Sequence, residues 1–163
     1  HSGGTDINDP SAGRLVKTWT CTWDGTWVVV SNADLVTPIQ LFTRAAVTTV
    51  AIAFDNNMQP VVAYRDAVGC FVWYFDTVAS AFIHKQITGA DSVQCAVDDL
   101  RAFNGAQSDV IVGYTKAGAL YWRQQRDRYD IEYNAGAATG TLTRCGMNQG
   151  NRFQFEVDPK ILP

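Results

Sequence analysis

The sequence predicts an all-β fold of propeller-like repeated antiparallel sheets, two to three blade-like units, with a β-sandwich as the alternative. Three observations predict it. Aromatic residues make up 12% of the chain and include 5 Trp, 6 Tyr and 8 Phe, a composition that suits pleated, half-buried surfaces. They sit with Val, Ile and Thr in short runs bounded by Gly, Asn and Asp, the punctuation of strands and turns. The run–turn–run pattern also recurs at a period of about 50 residues, within the range of propeller blades.

Element by element, residues 1–14 are Gly, Ser, Asp, Asn and Pro with little apolar content and read as a flexible arm. Residues 15–163 read as a single all-β domain. Leu15 to Ser31 reads as a hairpin turning at Asp24-Gly25. Asn32 to Thr37 is a turn region closed by Pro38, and Ile39 to Phe42 a short apolar run. Val47 to Phe54 alternates, with Val50, Ile52 and Phe54 on one face. Asp55-Asn56-Asn57 turns it into the strand Pro60 to Tyr64. After the turn Asp66 to Gly69 come strands Cys70 to Phe75 and Ala81 to Ile87.

A second series follows. Ser92 to Val97 runs into Asp98-Asp99, Val110 to Tyr114 turns at Lys116-Ala117-Gly118, and Ala119 to Gln125 returns. Gly136 to Gly140 reads as a flexible break, and Thr141–Arg144 with Arg152–Val157 as a final hairpin across Gly146 to Asn151. Helical spacing competes at Val93, Ala96, Val97 and Leu100, and in the window Val78 to Ile87, but both stretches are short.

The repeat copies span about 48–90 and 91–133. Pro60-Val61-Val62-Ala63-Tyr64-Arg65-Asp66 aligns with Val110-Ile111-Val112-Gly113-Tyr114-Thr115-Lys116. With a one-residue gap in the turn, Cys70-Phe71-Val72-Trp73 aligns with Ala119-Leu120-Tyr121-Trp122. So few blades leave open strand edges, which a ring of identical subunits would close, most simply a trimer.

The chemistry is narrower. The net charge is −3 and charged residues are 18%, which argues against a nucleic-acid binder working through bulk positive charge. No apolar stretch approaches the ~20 residues a spanning helix needs, so no membrane insertion is expected. Cys21, Cys70, Cys95 and Cys145 are far apart and His84 is the only internal His, so neither a metal site nor a cofactor is expected. The spacing favours buried, reduced thiols over disulfides. No GxSxG exists, and Asp98 and Asp99 would point to opposite faces of a strand. The chain therefore reads as a non-enzyme.

Arg123-Gln124-Gln125-Arg126-Asp127-Arg128-Tyr129-Asp130 is the densest polar stretch. On a continuing strand, Trp122, Gln124, Arg126 and Arg128 would share one face. Arg and Tyr are favoured at contact hot spots, so Trp73, Trp122, Arg123, Arg126 and Tyr129 are the expected binding residues.

These residues also carry a resemblance. Ala53-Phe54-Asp55, Pro60-Val61-Val62-Ala63-Tyr64, Gly113-Tyr114 and Gly118-Ala119-Leu120-Tyr121-Trp122-Arg123-Gln124-Gln125-Arg126-Asp127-Arg128-Tyr129 resemble structural proteins of tailed-bacteriophage virions, of the tail-tip, hub or fibre-associated kind. The likeness covers roughly residues 48–133. It implies assembly in the host cytoplasm, residence in the virion tail, and contact with other copies, other virion proteins or a host-surface glycan. It implies no catalytic residues. Independently of it, the Trp and Tyr residues suit a carbohydrate-binding module as the alternative function.

Overall fold

The computed structural model describes residues 2–6, 17–55, 57–98, 109–147 and 153–158. These residues form an all-β structure of four antiparallel sheets with no closed barrel. The first sheet holds β1 (Ser2–Asp6), β2 (Lys17–Trp23), β3 (Trp27–Ser31) and β4 (Ile39–Thr43). The second holds β5 (Thr49–Phe54), β6 (Pro60–Arg65), β7 (Cys70–Asp76) and β8 (Ala81–Ile87). The third holds β9 (Ser92–Asp98), β10 (Asp109–Lys116), β11 (Ala119–Gln124) and β12 (Tyr133–Ala137). The hairpin β13 (Thr141–Met147) and β14 (Phe153–Asp158) follows as a two-stranded sheet.

Local chemistry sets the turns. The Asp24 carboxylate accepts the backbone N–H groups of Thr26 and Trp27, at 2.9 and 2.7 Å. Asp66 does the same for Val68 and Gly69, at 2.8 and 3.1 Å. Such Asx turns pre-form tight reversals. Between β10 and β11, Ala117 and Gly118 take φ values of 49° and 77°, the two left-handed positions of a type I′ hairpin.

The first strands β1, β5, β9 and β13 lie side by side, so the sheets stack face to face like successive blades. Alternation along each strand then feeds two separate cores. Cys21, Val28, Val30 and Phe42 of the first sheet meet Val50, Ile52, Val62, Tyr64, Phe71 and Trp73 of the second. The opposite face of the second sheet, with Ala51, Val61, Ala63, Val72 and Tyr74, meets Val93, Cys95, Val110, Val112 and Tyr114 of the third. The hairpin β13–β14 covers part of the third sheet's far face, where Phe155 and Leu142 lie against Gly113.

The outer face of the hairpin is polar, and that of the first sheet mixes polar residues with Trp27 and Val29. On the first sheet Thr20 and Ser31, joined by a hydroxyl hydrogen bond of 2.9 Å, turn away from the core with Thr22. On the hairpin Thr141, Thr143, Arg144 and Glu156 are exposed.

The structure corrects several expectations. Residues 2–6 of the expected arm are strand β1, paired with β2; residue 1 and residues 7–14 lie outside the described residues. Ser92–Asp98 and Ala81–Ile87 are strands, where helix competed, because each pairs along its whole length with a neighbour; Leu100 lies outside the described residues. Part of the expected flexible break is strand β12, and the turn of the final hairpin falls largely outside the described residues.

The repeat runs without the gap. Tyr64 pairs with Phe71 and Tyr114 with Tyr121, so both partners recur 50 positions on. Trp73 then corresponds to Arg123, and Trp122 to Val72. Aligning the two tryptophans requires a one-residue slip, which would turn one of them to the wrong face of its sheet.

Candidate functional site

The two junctions among the first three sheets each carry a polar group built on the repeated tyrosine. At the first junction, Arg44 follows β4 and reaches the second sheet. Its Nε–H donates to the Tyr64 hydroxyl at 2.8 Å, and its guanidinium lies 5.6 Å from the Tyr64 ring and 5.0 Å from the Phe71 ring. His84 Nδ1 lies 2.8 Å from the same hydroxyl. The Tyr64 oxygen already accepts from Arg44, so its proton is assigned to His84 Nδ1, which leaves the ring proton on Nε2. Burial, and then the Arg44 charge, hold the His84 pKa below its ordinary value, which favours this neutral form.

Aromatic rings surround the group. Phe42 and His84 meet edge-on at 4.8 Å, and Trp73 stacks on Phe82 at 4.3 Å. Trp73 is buried, while Phe82 stays 39% exposed.

At the second junction a comparable group forms around Tyr114, the equivalent of Tyr64, from Arg123 at the Trp73 position and from Glu132. Arg123 Nε–H donates to the Tyr114 hydroxyl at 3.0 Å, and that hydroxyl donates to Glu132 Oε2 at 2.5 Å. Lys116 Nζ donates to both Glu132 oxygens at 2.8 Å, and Arg123 Nη2 adds a bond of 3.2 Å. Burial pushes the Glu132 carboxyl up, but bonds from Lys116, Tyr114 and Arg123 outweigh it and pull the pKa down to about 2. Every nitrogen group of Arg123 is engaged, because Nη1 donates to the Tyr129 carbonyl at 2.9 Å.

The expected binding run forms a clamp between the second and third sheets. Strand β11 stops at Gln124, and Gln125–Asp127 form a 3₁₀ turn followed by Arg128 and Tyr129 at φ 53° and 57°. The alternation expected through Arg128 therefore ends, because two successive left-handed residues break the strand. Tyr129 is fully buried, its hydroxyl donates to the Val110 carbonyl at 3.2 Å, and its ring meets Tyr74 edge-on at 4.8 Å. Arg128 donates from Nε and Nη2 to Asp76 at 3.1 and 2.6 Å. That bond, ahead of the opposing effect of burial, holds the Asp76 pKa below its ordinary value. Gln125 reaches Asp55 of the second sheet at 2.9 Å, and Arg126 pairs with the buried Asp109 at 2.5 Å.

The five expected residues thus separate. Arg123, Arg126 and Tyr129 join the clamp and its network. Trp73 sits in the first inter-sheet core and offers no exposed rim, at 6% exposure. Trp122 is half-buried on the opposite face of the third sheet, stacked on Tyr133 at 4.3 Å. Arg44 and His84, overlooked as binding residues in the sequence, form the junction that keeps donors unused among the described residues. The signal available was the repeated Tyr, whose partners mark the junction in each copy.

All four thiols are unpaired. Burial pushes Cys21 and Cys95 up to about 12 and Cys70 to about 11, so these remain protonated near neutral pH. No helix of the described residues is long and apolar enough to cross a membrane. No family model, no curated protein and no solved structure matches the chain.

Proposed function

We propose that the chain is a structural or attachment component of a tailed-bacteriophage virion, acting through protein–protein or host-surface contact in the tail. One observation supports this reading above the rest. The run from Tyr121 to Tyr129, where the resemblance is most specific, ends in a turn whose Gln125 and Arg128 tie the third sheet to the second and whose Tyr129 is anchored on β10. A run given over to rigidity rather than to a reaction centre suits a scaffold. Four unpaired thiols also suit assembly in a reducing cytoplasm. Immunoblotting and immunogold microscopy of particles purified from the host that carries this gene test the proposal. Labelled tails are expected, and particles free of the chain would reject it.

Carbohydrate binding is the second reading, and the Arg44–His84 junction favours it because donors with no hydrogen-bond partner among the described residues adjoin an exposed ring. Trp73→Ala does not test this reading, since it empties a packed core position.

A further inference from the structure

We propose that the Arg44–Tyr64–His84 junction binds a carboxylate-bearing saccharide, its sugar ring resting on Phe82 and its carboxylate taking N–H groups of Arg44 and His84. This inference rests on the host-surface contact reading and names its ligand.

The backbone around Arg44 is pinned. Its N–H donates to the Thr26 carbonyl at 3.0 Å, and its own carbonyl accepts from Trp23 Nε1 at 2.8 Å. Its Nε is committed to Tyr64. Among the described residues, neither terminal nitrogen of the guanidinium makes a hydrogen bond. His84 is exposed, its Nδ1 is committed to Tyr64, and its Nε2 has no partner among the described residues. One hydroxyl oxygen therefore orients two adjacent side chains whose remaining polar groups are all donors.

A donor-only cluster selects an acceptor, and a planar guanidinium fork matches a carboxylate in two-point contact. Among the described residues Asp66 Oδ2 lies 3.7 Å from Arg44 Nε. Asp66 partly offsets the Arg44 charge, and its other oxygen accepts the Val68 and Gly69 amides. A ligand with a single negative charge fits this balance better than a doubly charged phosphate. Phe82, backed by Trp73 at 4.3 Å and 13° between planes, supplies a held apolar platform for the C–H face of a sugar.

The second junction is an internal comparison. There the tyrosine hydroxyl donates to Glu132 rather than to a histidine, and Lys116 and Arg123 satisfy that carboxylate. The same scaffold is closed at one junction and open at the other.

The experiment is titration of the full chain with a trimer of galacturonate and, separately, with its methyl ester, by calorimetry and ligand-observed NMR. Saturable binding of the acid and loss of binding for the ester are expected. Arg44→Lys, His84→Phe and Phe82→Ala should each weaken binding about tenfold or more with the circular dichroism spectrum unchanged. His84→Phe and Phe82→Ala carry the test if Arg44→Lys fails to fold. Absence of saturable binding, equal binding of acid and ester, or unaltered affinity in the folded variants would overturn the proposal. Finding the chain in virions is a separate readout: failure here with labelled tails removes the site and leaves the virion reading intact.

Discussion

At the residue scale, Tyr129 shows how composition misleads about exposure. Its neighbours are charged, yet its backbone turns left-handed at φ 57° and drives the ring inward, where it is fully buried. Such a conformation costs about 1–3 kcal/mol and persists only when surroundings enforce it. Tyr129→Phe should lose about 1 kcal/mol, the net value of its bond to the Val110 carbonyl. Tyr129→Ala should lose about 3–5 kcal/mol by urea denaturation, as a large ring leaves a core. A loss below 1 kcal/mol for the alanine variant would contradict the clamp. Glu132 gives the pH dependence. Its folded pKa of about 2 lies below its ordinary 4.5, so the folded state binds the proton less readily than the unfolded chain. Its stabilisation is complete above about pH 5 and fades as pH falls toward 2, a loss of about 1–2 kcal/mol after solvent screening. Glu132→Gln should flatten that part of the acid-unfolding curve; an unchanged curve would remove Glu132 from the account.

At the element scale, strand register decides what faces what. Gly113 lies in β10 where the previous copy has Ala63, and a Cβ there would sit 2.4 Å from the Phe155 ring. Bare backbone at this point lets the last hairpin dock. Gly113→Ala should therefore cost about 1–3 kcal/mol through overpacking and should loosen β13–β14 before the other sheets. Hydrogen exchange checks this: protection should fall first in Leu142–Cys145 and Phe153–Val157, and a uniform fall would refute local undocking. Most strands were legible in the sequence because β-branched and aromatic runs between turn residues leave few other options. The register was not. Two Trp residues invited a match across a gapped turn, whereas the pairing of Tyr64 with Phe71 and of Tyr114 with Tyr121 requires none.

At the scale of the whole molecule, the open strand edges bear on association. Among the described residues β4, β8 and β12 each lack a strand partner on one side, and a ring of copies, most simply a trimer, would close such edges. The outer face of the hairpin, with Thr143, Arg144 and Glu156, is polar, whereas that of the first sheet sets Trp27 and Val29 beside Thr20, Thr22 and Ser31. Light scattering on the full chain should read a multiple of the monomer mass of 17.9 kDa, with a melting point that falls on dilution. The monomer mass at ~100 μM, with a melting point independent of dilution, would reject the ring.

The sequence by itself determined the all-β class, most of the strands and turns, and the existence of a repeat, because these follow from local conformational preference and from alternation over a few residues. The tertiary structure alone decided which repeat positions are equivalent, which aromatic residues are buried, and that the Arg123–Tyr129 region is a clamp. It also brought Arg44, Tyr64 and His84 together from three elements. Those outcomes depend on partners tens of residues away and on which face of a sheet meets its neighbour. No local pattern specifies them, since a shift of one residue exchanges the two faces of a strand.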